Sequence, residues 1–139
     1  MRSKQALTLS DVKLMMAAAE AEAAKHGWNV TIAILDDGGH LLGFQRMDGA
    51  TPANAQIAIE KAHTSAYSRR PSKTWEERVA AGRLGMLRMP VLPVLPVQGG
   101  LPIMVGTDCV GAIGVSGVQS HEDEQVAQAA IDALLQASV

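Results

Sequence analysis

Apolar residues recur at helical spacing over residues 9–25, where Leu9, Val12, Met16, Ala19 and Ala23 share one face. Thr8 and Ser10 are both candidate N-caps, and Thr8 with Asp11 has capping-box spacing. Gly27 stands where such a helix should stop. The period then shortens. "WNVTIAILD" is rich in β-branched residues, "DDGG" signals a turn, and "HLLGFQRM" follows, which predicts a β-hairpin. A second helix is expected through "DGATPANAQIAIEKAHTSAYSRR", with Thr51 as its cap and Pro52 at the first helical position. Its Ala55, Ile59, Ala62 and Ala66 form a narrow face of mostly small residues, suited to close packing on a sheet. Pro71 ends it, and Ser72 is placed to cap a third helix through "KTWEERVAAGRLGML".

Residues 90–98 should be extended but make a poor central strand, because each proline removes a ladder donor. "LPIMVG", "TD" and "CVGAIGVSG" predict a second hairpin. Ser120 with Asp123 repeats the capping-box spacing before a last helix with Val126, Ala130, Ala133, Leu134 and Ala137 on its apolar face. The order is helix, two strands, two helices, about three strands and a helix. Paired strands joined by tight turns point to an antiparallel sheet, with helices available to cover its faces. Gly111, Gly114 and Gly117 interrupt the strand-like run from 110, and glycine in a strand often marks a close approach of backbone or ligand.

A length of 139 residues fits one domain, 1–139, with a core of useful size. A net charge of −2 and 3% aromatic residues leave neither a basic surface nor a stacking platform, which argues against nucleic-acid binding. Prolines break the longest apolar tract, so no membrane span is expected; the N-terminal "MRSKQALTLSD" lacks the apolar core of a signal peptide, and the reading is cytoplasmic. The single cysteine, Cys109, excludes an internal disulfide and reads as a small buried hydrophobe.

Four histidines, 26, 40, 63 and 121, show no local zinc spacing. His26 suits a helix C-terminus and His40 a solvated strand start. His63 lies one turn beyond Ile59, placed to face an interior or an interface, where a lone imidazole can ligate haem iron, or else it is a hydrogen-bonded or surface histidine; His121 is the second candidate. Arg46, ahead of a helix start, offers a fork for a carboxylate or a haem propionate, or else pairs with Asp48 or the sheet edge. Lys61 either adds a second cation or is solvated. Ser116 lacks the spacing and the following histidine of a serine-hydrolase triad. Glu122 and Asp123 are explained by helix capping, or alternatively as weak metal ligands or a general base.

"VAILDDGGHLLGFQRMDGA" with "AIEKAHTSA", and "GGLPIMV", "VGAIGVSG" and "EDEQVAQAAIDAL" further on, resemble the GlcG/HbpS-like haem-binding family, which includes the C-terminal domain of PduO-type proteins. The resemblance runs over nearly the whole chain. It implies an α/β (α+β) fold: a profilin-like, three-layer α/β/α domain with a five-stranded antiparallel sheet flanked by helices. It also implies a homo-oligomer, dimer or octamer, and a haem or another tetrapyrrole as ligand. The candidate haem-binding residues are then His63, His121, Arg46, Lys61 and Ser116. The rival reading is a small catabolic enzyme of isomerase type, in which Arg46 holds an organic acid and Asp123 or His63 moves the proton.

Overall fold

The computed structural model describes residues 1–89 and 93–138. Its elements are α1 (Leu9–Lys25), β1 (Thr31–Asp36), β2 (Leu41–Arg46), α2 (Ala53–Ser68), α3 (Ser72–Ala80), a short 3₁₀ turn (Leu84–Arg88), β3 (Gly100–Val105), β4 (Asp108–Ser116) and α4 (Ser120–Ala137). Thr8 caps α1 through the expected box: its hydroxyl takes the Asp11 N–H, and the Asp11 carboxylate takes the Thr8 N–H at 2.7 Å. That second bond holds the Asp11 carboxyl below its ordinary range. Gly27 leaves the helix at a φ of 71°, a conformation that favours glycine.

All strand pairs are antiparallel, in the order β2-β1-β4-β3. The expected fifth strand does not form among the described residues. Residues 90–92 of that expectation lie outside them, and residues 93–98 run without regular structure. Pro93 and Pro96 have no N–H to give a ladder. Leu95, between them, donates its N–H to Thr64 Oγ1 on α2 at 2.8 Å, so this stretch is tied to a helix and not to the sheet.

Helices cover both faces. On one face, α1 and α4 close over Val30, Ile32, Ile34, Leu101, Ile103, Val110, Ile113 and Val115, which form the main core. On the other, α2 presents Ala58, Ala62 and Ala66 to Ala33, Leu35 and Ala112. This second contact is thin because both sides are small. A Cβ on Gly114 would lie 2.6 Å from Ala62 N and also strike the Ala58 carbonyl, while one on Gly100 would strike the Lys61 backbone. Gly114 therefore does what the glycine pattern implied and lets a helix approach. Gly111 and Gly117 answer to other neighbours, Leu35 and Leu7 for the first and Asn29 and Val30 for the second.

Several local expectations shift. α3 stops at Ala80 instead of running to Leu87, and Gly82 follows at a φ of 98°. Ser72 does not cap it. Its hydroxyl is buried and accepts the Gly100 N–H at 2.8 Å, fastening α3 to β3. Pro52 precedes α2 and does not begin it, and Thr51 Oγ1 accepts a hydrogen bond from the Asn54 side chain. At α4 the cap is Gln119, whose N–H goes to Glu122, so Asp123 is released for another partner. The buried face of α4 comprises Asp123, Val126, Ala127, Ala130, Ile131 and Leu134, leaving Ala133 and Ala137 outside it.

Candidate functional site

Lys61 and Asp123 meet at one end of the sheet. Lys61 lies on the buried face of α2, between Ala58 and Ser65, and Asp123 sits on the buried face of α4, one turn before Val126. Their side chains are each 2% exposed, and Lys61 Nζ donates to Asp123 Oδ2 at 2.9 Å. The ammonium also donates to the Val115 carbonyl at 3.0 Å, and Asp123 Oδ1 accepts the Val118 N–H at 3.1 Å. Burial pushes the Asp123 carboxyl up, against the pull of the Lys61 ammonium and the Val118 N–H. Replacing a buried pair of this kind by apolar side chains is often neutral or stabilising, so the pair is weak evidence for a purely structural role.

The pair borders an open cleft of about 310 Å³. Ile57, Leu95 and Val97 give it an apolar wall, and Asn54, Ser116 and Ser120 a polar one. Ser116 Oγ donates to Asn54 Oδ1 at 2.8 Å, which leaves its lone pairs free to accept. An ammonium carries three N–H groups, and two of those on Lys61 have protein acceptors. Gly99 makes room at this spot, since a Cβ there would stand 2.7 Å from Nζ. The cleft suits a short ligand with one oxygen toward Lys61 and a small carbon skeleton against the aliphatic wall.

The other sequence candidates lie elsewhere. His63 is part-buried on α2, one turn before Tyr67, with the two rings parallel and 5.5 Å apart. Its Nε2 lies 2.9 Å from the Gly39 carbonyl, which can only accept, so Nε2 carries a proton and donates it there. Nδ1 is 3.7 Å from Glu60. Arg46 is exposed at the end of the edge strand and pairs with neither Asp48 nor another acid among the described residues. It lines a separate shallow basin with Glu20, Asn29, Gln45, Met47 and Asp48. The register sets Arg46 opposite Thr31, and Thr31 opposite Ser116, so Arg46 is two strands from the cleft, about 10 Å. Glu122 turns back to its own helix start while Asp123 turns inward, so the two acids do not converge. Among the described residues no three His, Cys, Asp or Glu side chains gather as a metal site would need. His121 and His40 are exposed, His26 ends α1 beside Glu22 and Trp28, and Cys109 is buried.

Sequence reasoning singled out both Lys61 and Asp123 without pairing them. The signal for Lys61 is its place three residues after Ala58 and next to Ala62, on the face of α2 that is buried; for Asp123 it is the place three before Val126. Asn54, Gly99 and Thr64 carry no such signal, since each acts through a residue far along the chain.

The fold recurs in solved structures. Klebsiella pneumoniae ORFY superimposes with a TM-score of 0.90 at 28% identity, covering 97% of this chain and 94% of its own. A PduOC structure determined as a haem complex superimposes with a TM-score of 0.83 at 25% identity, covering 93% and 95%. The class is therefore that of these compact α/β domains with an antiparallel sheet between helices. Protein GlcG of Escherichia coli K12 is 43% identical over 116 residues, 84% of this chain and 85% of that protein. Residues 7–132 match the family "Haem degrading protein HbpS-like", and the chain belongs to that HbpS-like family. No helix among the described residues is long and apolar enough to cross a membrane.

Proposed function

We propose that the protein binds haem or a closely related tetrapyrrole on the α2 side of its edge strand, with His63 and Arg46 as the polar contacts. The observation that carries this reading is the uncovered face of β2. α2 lies over β1, β4 and β3, and leaves β2 largely bare. Leu41 and Phe44 pair directly with Leu35 and Ala33 and so share the α2 side with them. Both are exposed, at 52% and 41%, and Tyr67 on the neighbouring flank of α2 is exposed at 44%. An apolar strip of this kind on a small protein marks an interaction surface.

The residues fit the group. A tetrapyrrole presents a flat apolar ring, two carboxylates and a metal. Leu41, Phe44 and Tyr67 supply apolar contact, Arg46 supplies a carboxylate fork at the strand end, and His63 supplies an imidazole. The hydrogen bond from His63 to Gly39 is the kind that fixes the tautomer of a metal-binding histidine. Bound there, haem brings redox and oxygen chemistry of its own; the protein orients it and shields one face. Family membership and the PduOC haem complex support the reading from outside the chain. The same bare edge suits a second copy of the chain, so a homo-oligomer that completes the binding surface is part of the proposal.

Haemin titration of the purified protein tests it. The expected result is a saturable Soret shift, weakened at least tenfold in His63→Ala, about 1.4 kcal/mol, and less in Arg46→Ala, whose exposed position makes its contribution smaller. An unsaturable rise that neither substitution changes would overturn it.

A further inference from the structure

We propose that the Lys61 cleft is a covalent site for small carbonyl compounds, in which Lys61 forms an imine with a short-chain ketone, aldehyde or keto acid and Asp123 moves the protons. The inference is independent of tetrapyrrole binding, which uses the edge strand and the other flank of α2, so failure of either leaves the other standing.

Three features of the molecule meet at this place. Lys61 is the only buried lysine; Lys4, Lys13, Lys25 and Lys73 are exposed. Burial is what makes a lysine amine suited to imine formation, and a neighbouring carboxylate gives its proton somewhere to go. Second, the partner is a single carboxylate at hydrogen-bond distance, held in place by the Val118 N–H, so it can take and return a proton without moving. Burial already favours its protonated form. Third, the pair is not sealed into the core but borders the cleft, with the side-chain-free Gly99 next to Nζ. The wall of Ile57, Leu95 and Val97 fits a short carbon skeleton, and Ser116 and Ser120 fit a hydroxyl or carboxylate on it.

The step balances. Asp123 takes one proton from the Lys61 ammonium, and Nζ attacks the carbonyl carbon, forming the C–N bond while the π electrons pass to oxygen. Asp123 returns the proton to that oxygen, then takes a second proton from nitrogen. The hydroxyl departs with it as water, leaving a protonated imine and the Asp123 carboxylate. The net change is one carbonyl compound and one lysine ammonium converted to one protonated imine and one water. With the imine as electron sink, the same carboxylate is placed to accept a proton from the adjacent carbon.

Reductive trapping decides the matter. The protein is incubated with pyruvate or hydroxyacetone and cyanoborohydride, digested, and mapped by mass spectrometry. The reduced adduct is expected on the Lys61 peptide of the wild-type chain, ahead of all four exposed lysines. Asp123→Asn should slow trapping at Lys61 without changing the slow background at Lys73. Adducts spread over the exposed lysines with none at Lys61 would overturn the proposal, and so would an Asp123→Asn chain trapped at Lys61 as fast as wild type. The wild-type map needs no substituted protein, so a variant that fails to fold does not shelter the idea.

Discussion

Lys61→Met is expected to cost about 3–5 kcal/mol of folding stability at neutral pH, because it leaves the Asp123 carboxylate buried without its cation. Asp123→Leu should cost a similar amount by stranding the ammonium. The double substitution should recover most of the loss, since two apolar side chains need no partner there. Urea denaturation of the four proteins gives the coupling directly. Total stability for a domain of this size is typically about 5–15 kcal/mol, so each single change removes a large share. The Lys61→Met loss should also depend on pH in a defined direction. Burial already raises the Asp123 carboxyl, and removing Lys61 takes away the main opposing pull. A carboxyl raised in the folded state binds more protons folded than unfolded, so stability falls as pH rises through the window above the ordinary carboxylate range. The variant should therefore regain stability as the solution is acidified from neutral toward that range. Single variants as stable as wild type, or a double variant worse than both, would contradict this account of the pair.

Gly114→Val is expected to cost about 3 kcal/mol or more, at the top of the range for overpacked cores. Its neighbours at this point are the Ala62 amide nitrogen, the Ala62 Cβ and the Ala58 carbonyl, all parts of a helix and none the end of a flexible side chain. The helix itself must lift. Because α2 carries Lys61, lifting it also strains the bonds to Val115 and Asp123. Gly114→Ala should show a smaller loss of the same origin. Gly85→Ala, where nothing lies within 4 Å, is the control and should change little. Thermal unfolding of the three variants orders them. A Gly114→Val protein as stable as Gly85→Ala would mean that α2 does not rest on β4 as closely as described.

Local chemistry was the legible part of the chain. Thr8, Asp11 and Gly27 bound α1 through bonds among residues near one another, and both hairpins followed from extended runs around short turns. Expectations failed where a residue had a distant partner. Ser72 reads as a cap but is drawn to Gly100, 28 residues away, and the proline-bearing stretch near Leu95 is drawn to Thr64. Asp123 reads as a capping acid but is drawn to Lys61, 62 positions back. Nothing local announces such choices, since capping and long-range pairing use the same side chains. The site was therefore visible as a set of candidates and not as a geometry. The pattern offered Lys61, Asp123 and Ser116, but joined Arg46 to either Asp123 or His63, whereas Arg46 stands on a different strand from the cleft and His63 on a different flank of α2. The glycines were better guides: a small residue repeated along a strand speaks of close approach, and at Gly114 it meant α2.

The account rests on two separate surfaces, an apolar edge for a tetrapyrrole and a Lys–Asp cleft for a small carbonyl compound. The most direct test is the amide NMR spectrum of isotope-labelled protein during addition of haemin, whose iron broadens nearby signals. Broadening confined at first to Leu41, Phe44, Arg46, His63 and Tyr67, with Ser116, Gly117 and Val118 still sharp, is the predicted result. Early loss of the Ser116–Val118 signals, or uniform broadening over the whole chain, would contradict it.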